Sequence, residues 1–155
     1  MAPPRRCYIR SSDPPSIPAV FEDPIKVRAV LAGFAGYLLL SIIAMATVVH
    51  AWMPSGLAPP ELARLAETDP SLLLWQNIIG TVLTVAAGAL ACRLGGGLRN
   101  ALALGGLLVL FGALGIYLHP GHPLWMQAVK IVAPIPLALL GGWIWMQVGR
   151  RNRRR

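Results

Sequence analysis

Residues 29–52 read AVLAGFAGYLLLSIIAMATVVHAW, 24 residues without one Asp, Glu, Lys or Arg. At about 1.5 Å per helical residue, such a run crosses a hydrocarbon core of about 30 Å. Three further apolar runs follow, Leu72–Cys92, Asn100–Leu118 and Leu124–Val148, of 21, 19 and 25 residues, with Lys130 the single charge among them. Together the four fill 89 of the 155 residues, so the solvent of this fold is lipid. Every backbone N–H and C=O must then be paired internally, which makes the runs helices. Barrel strands would show alternating polarity over about 10 residues, a pattern these runs lack. The expected fold is an all-α integral membrane protein, a four-transmembrane-helix bundle over residues 24–149. The third span is the shortest and should stand upright; the fourth is the longest and should tilt or kink.

Charge gives the bundle its orientation. The chain has 14 Lys+Arg against 6 Asp+Glu. Arg5, Arg6, Arg10, Lys26 and Arg28 precede the first span, Arg93 and Arg99 lie between the second and third, and Arg150, Arg151, Arg153, Arg154 and Arg155 follow the fourth. The other two loops hold only Arg64. Excess positive charge stays in the cytoplasm, so both termini are expected there, in a bacterial inner membrane. The Arg-for-Lys bias, with abundant Ala, Gly and Pro, reads as the codon usage of a GC-rich bacterial genome. Cys7 and Cys92 both map to the reducing side and lack C-x-x-C spacing, so neither a disulfide nor zinc or redox chemistry is expected. Ala44-Met45-Ala46 matches a small-x-small cleavage site, but the apolar run continues past it, and cleavage is not expected.

The flanks are polar. Residues 1–23 carry Pro3, Pro4, Pro14, Pro15 and Pro18 and few large apolar groups, so a disordered cytoplasmic tail is expected. Pro15-Ser16-Ile17-Pro18 fits P-x-x-P but has acids beside it, and the plain tail is the better reading. Residues 150–155 form a polybasic tail suited to anionic lipid rather than nucleic acid, since it lacks interleaved aromatics.

Helix boundaries are marked locally. Asp23-Pro24 and Asp69-Pro70 each pair a capping acid with proline at the first helical position, and Asn100 offers the same cap to the third helix. The first helix is therefore expected to start near Pro24. Gly95-Gly96-Gly97 supplies left-handed stop positions and, lacking a following Lys-Ser/Thr, is not a phosphate cradle. His119-Pro120-Gly121 closes the third helix, and the short hairpin makes spans three and four antiparallel neighbours. In the loop 53–71, Glu61–Ala66 predicts a short helix with Leu62, Leu65 and Ala66 on one face.

Helices in lipid associate through close packing of small residues. Ala29, Gly33 and Gly36 in the first span, Gly80, Thr84, Ala87, Gly88 and Ala91 in the second, and Ala101, Gly105, Gly112 and Gly115 in the third are the expected contact faces. Trp52, Trp75, Trp125, Trp143 and Trp145, with Tyr117, fit interfacial belts.

Chemistry is sparse. All six acids lie outside the spans, which argues against an acid–base enzyme and against an intramembrane proton relay. Lys130 is the one intramembrane charge. It either snorkels to the interface, about 9 Å away along the helix, or faces the bundle and binds an anionic group. Pro134 and Pro136 remove the N–H partners of the Lys130 and Val132 carbonyls and should kink the helix. Gln127 lies one turn above, so Gln127, Lys130, Pro134 and Pro136 form the candidate polar site. His50, His119 and His122 map to the outer face with Met53 and Met126 and form a minor candidate for one copper or zinc ion, the only cofactor considered. The leading expectation is a non-enzymatic accessory subunit or assembly component. The alternative is a small oligomeric transporter or channel built on Lys130 and the Pro134/Pro136 kink. The expected partners are the bilayer, another membrane protein or further copies of the chain, and no nucleic acid.

Overall fold

A computed structural model describes residues 24–52, 61, 64–65, 68–118, 121 and 123–152. The tail 1–23 with Cys7, the loop residues Met53, Leu62 and Ala66, both His119 and His122, and Arg153–Arg155 lie outside the described residues. The described chain is all helical: α1 Val27–Trp52, α2 Pro70–Gly95, α3 Leu98–Leu118, α4 Leu124–Val132 and α5 Pro134–Asn152. Three of these, α1 to α3, are each long and apolar enough to cross a membrane, and the bent pair α4–α5 makes a fourth if it is one span. Before α2, Glu61, Arg64, Leu65 and Thr68 are helical, in line with a short helix in that loop.

The break between α4 and α5 falls at Pro134, where the sequence places a kink in the fourth span. Pro134 has no N–H for the Lys130 carbonyl, so the ladder lapses there and resumes at Leu137 N–H to Ala133 O (3.1 Å). The axis turns by 43° at Ala133. The freed Lys130 carbonyl lies against Gly112 of α3, where a Cβ would come within 2.7 Å of its oxygen.

The boundaries follow local chemistry, with two corrections. Asp69 caps α2 as expected, accepting from Ser71 N (2.7 Å) and Leu72 N (3.2 Å) with Pro70 behind it. Gly96 ends α2 at φ 90°, a conformation glycine adopts without strain, and its N–H returns to the Cys92 carbonyl. The first correction is that α1 starts at Val27, not near Pro24: the Lys26 carbonyl accepts from Ala29 and Val30. The second is that Asn100 does not cap α3. It lies one turn inside α3, fully buried, and its Oδ1 accepts from the Lys26 N–H at 2.7 Å. It thereby pairs a helix-terminal donor of α1 that would otherwise be left without a partner. Gly95 leaves room for the Asn100 amide, since a Cβ there would overlap it.

In the bundle, α2 and α3 touch each other and lie between α1 on one side and α5 on the other; α2 packs most extensively on α5. The closest approaches are made by glycine. A Cβ on Gly88 would stand 2.7 Å from Ala138 Cα, and one on Gly141 would overlap the Val85 carbonyl. Gly105 meets Ile135 Cα at 2.9 Å on the same construction, and Gly33 meets Ala91 and Leu104 at 3.2 Å. Around these contacts Val30, Ala87, Ala91, Leu104 and Leu108 form the core. Gly88, Gly105 and Gly112 stand where an added Cβ would meet the backbone of a neighbouring helix. A Cβ on Gly80 would meet only the Tyr37 hydroxyl, at 3.9 Å, and one on Gly115 meets nothing within 4 Å. Gly141 and Gly142 are contacts that the fourth span's sequence carried unread.

The helices are therefore drawn together at one end and spread at the other. The tight end carries Lys26, Arg28, Arg93, Arg99, Arg150 and Arg151. There the Arg93 guanidinium lies 5.1 Å from the Trp145 ring centre, a cation–π contact joining α2 to α5. Large apolar side chains such as Leu39, Ile42, Val82 and Leu110 point outward on all sides, as lipid requires and water would not permit.

Candidate functional site

Where the helices spread, they enclose a cavity of about 220 Å³ lined by all five elements. Its base is set by the core: Phe34, packed on the core cluster, meets Phe111, which lines the cavity, edge to face with ring centres 5.7 Å apart. The bend at Ala133 accounts for the opening. α5 lies along α2, whereas α4 leans on α3 and makes no comparable contact with α2. The space between α4 and α2 is the cavity.

Its lining is polar for a bundle this apolar. α4 contributes Lys130, α1 contributes Tyr37 and Ser41, and α2 contributes Gln76, Asn77, Thr81 and Thr84. These groups make α2 the least apolar of the three unbroken spans, with mean hydropathy 1.7 against 2.2 and 2.3. Two of the side chains are spoken for within their own helix. Asn77 Nδ2 donates to the Leu73 carbonyl (2.8 Å) and Thr84 Oγ1 to the Gly80 carbonyl (2.7 Å). Among the described residues, the polar side-chain atoms of Lys130, Tyr37, Ser41, Gln76 and Thr81 have no hydrogen-bond or ion-pair partner.

Lys130 is half-buried and is one of the residues that line this cavity. Ser41 and Thr81, which line the same cavity, lie midway along α1 and α2, each of 26 residues and about 39 Å long. A charged side chain at mid-bilayer depth costs about 3 kcal/mol on insertion scales. Among the described residues no Asp or Glu lines the cavity to offset that cost.

The other sequence candidates separate. Pro134 lines the cavity beside Lys130, whereas Pro136 is exposed and Gln127 lies off the lining. The Lys130 carbonyl, freed by Pro134, lies against Gly112, which also lines the cavity. Met126 lines it and is almost fully buried. His50 is exposed near the end of α1, and its two expected companions lie outside the described residues. Tyr37, Ser41, Gln76, Asn77 and Thr81 escaped the sequence reading. Their signal was spacing: Tyr37, Ser41 and Met45 recur every four residues on α1, and Gln76, Gly80 and Thr84 do so on α2, each set on one helix face.

Comparison with family models, with curated proteins and with solved structures found no match for this chain.

Proposed function

We propose that the chain is a small multi-pass protein of the bacterial inner membrane that works without catalysis, by taking a small polar ligand into the Lys130 cavity. The observation that carries this reading is the cavity itself: among the described residues, Lys130 and several hydrogen-bonding side chains without a partner line one space between apolar helices. Such groups are costly in lipid and have a use where a ligand meets them. This favours a carrier or channel component over an accessory subunit, a reading that rested on a compact bundle without a catalytic constellation. The break at Pro134 supports that choice, because broken helices in transporters occur where backbone borders a binding site.

Orientation follows from charge. Both termini are proposed to be cytoplasmic, since the tight end gathers the described basic residues apart from Arg64 and Lys130, and the cavity then lies toward the outer half. In intact cells, an impermeant thiol reagent should label a cysteine placed at Gly121 and miss one placed at Arg99. Labelling at Arg99 reverses the assignment.

The functional test is complementation of a chromosomal deletion. Lys130→Gln should fail at unchanged protein abundance. Lys130→Arg should be partly active, because a planar fork replaces a compact ammonium imperfectly. Full complementation by Lys130→Gln at normal abundance overturns the proposal.

A further inference from the structure

We infer that the Lys130 cavity is a site for an oxyanion of the phosphate or carboxylate class, presented either as a free small anion or as a lipid headgroup. The inference rests on the reading of this cavity as the working site and adds the chemistry of what it takes.

Sign comes first. Among the described residues, the cavity lining includes one cationic residue, Lys130, and no Asp or Glu. A cationic ligand would meet Lys130 with nothing to balance either charge, whereas an anion supplies the missing partner in a region where bulk water does not screen.

Donor geometry comes second. Lys130 carries three N–H donors, Tyr37, Ser41 and Thr81 one O–H each, and the Gln76 amide two N–H. They come from three helices, α4, α1 and α2, that border one cavity. Several donors on different walls suit a group with several acceptor oxygens, and hydrogen bonds to a charged acceptor are the stronger kind.

Size comes third. The volume of about 220 Å³ exceeds the roughly 150 Å³ of a cavity that admits benzene and falls below the roughly 300 Å³ at which drug-sized pockets begin. A phosphate, a short carboxylate or the phosphate of a glycerolipid head fits these limits. The apolar remainder of the lining, including Met45, Phe111 and Leu137, is compatible with either source.

The test uses the purified full-length chain in neutral detergent at constant sodium chloride, with two probes: inorganic phosphate and phosphatidylglycerol. Each is titrated while the thermal unfolding midpoint is read. At least one probe should raise the midpoint of the unsubstituted protein, because a ligand that binds the folded state stabilises it. Lys130→Gln should weaken the apparent affinity by about ten- to hundredfold, the range for a lost hydrogen bond to a charged group. Lys130→Arg should retain part of it. The basic tail is present in every variant, so the difference isolates Lys130. A response to phosphate assigns a free anion, and a response confined to phosphatidylglycerol assigns a headgroup. No response to either probe, or equal affinities in the unsubstituted and Lys130→Gln proteins, overturns the inference. If Lys130→Gln does not fold, Tyr37→Phe, which removes one hydroxyl, takes its place, and unchanged affinity for the responding probe overturns the inference equally. Complementation separates the two levels. A chain that binds neither probe, yet loses complementation with Lys130→Gln, refutes the anion and leaves the Lys130 site standing.

Discussion

The two halves of this bundle solve the same problem in opposite ways. At the basic end, glycine lets backbones touch: Gly88 on Ala138, Gly141 on Val85, Gly105 on Ile135. At the other end α4 bends away from α2, Gly80 and Gly115 meet no neighbouring backbone, and polar side chains face the space. The difference teaches what drives association in lipid. Apolar area gives no advantage there, so helices hold together where small residues admit close packing and part where they do not. The tight half can therefore act as the clamp that keeps an open, polar half from collapsing.

The largest effect should come from forcing the clamp. Gly141→Val would push side-chain atoms into the Val85 carbonyl, with no flexible group to give way. Overpacking of this kind costs about 3 kcal/mol or more, and thermal unfolding in detergent should show a loss of that size or no folded protein at all. Unchanged stability would mean that α2 and α5 are not in this contact.

Asn100→Ala should follow. It leaves the Lys26 N–H without its partner at the clamped end and empties a fully buried site. The expected loss is about 2 kcal/mol by the same measurement. A loss below about 0.5 kcal/mol would indicate that water replaces the amide.

Pro134→Ala acts on the hinge between the halves. It returns an N–H to the Lys130 carbonyl and should straighten α4–α5, narrowing the space between α4 and α2. The readout is slower modification of a cysteine placed in the cavity at Ser41. An unchanged rate would show that the bend does not depend on the missing hydrogen bond.

The smallest effect belongs to Gly115→Ala. Nothing stands within 4 Å of the added carbon. Stability should hold or rise by up to about 1 kcal/mol, as alanine favours the helix. Against Gly141→Val, this substitution of the same residue type tests directly whether the two halves differ in packing.

Much of the frame was legible in the sequence, for physical reasons. Length and hydropathy mark α1 to α3, Asp69-Pro70 and Gly96 mark the ends of α2, and Pro134 marks the bend. Each of these acts within a few residues of itself. The cavity acts between helices. Tyr37 and Gln76 are far apart in sequence, and a helix apolar on nearly every face gives little amphipathic signal to show which side turns inward. Lys130 stood out because charge in lipid is rare, whereas neutral polar groups on α1 and α2 did not. Asn100 shows the same limit. Its place before an apolar run reads as a local cap, and only the packed structure reveals that the donor it pairs belongs to another helix.

The central claim is that one face of α1 at mid-depth borders a polar, anion-favouring space while the adjacent position faces lipid. It is tested most directly by thiol modification of Ser41→Cys and Ile42→Cys in a background carrying Cys7→Ser and Cys92→Ala. Ser41 lines the cavity, and Ile42, its neighbour in sequence, is 67% exposed on the outer surface of the helix. The account predicts that a water-soluble anionic methanethiosulfonate modifies Ser41→Cys faster than its cationic counterpart does, and that Ile42→Cys resists both. Equal, slow modification at the two positions would contradict it.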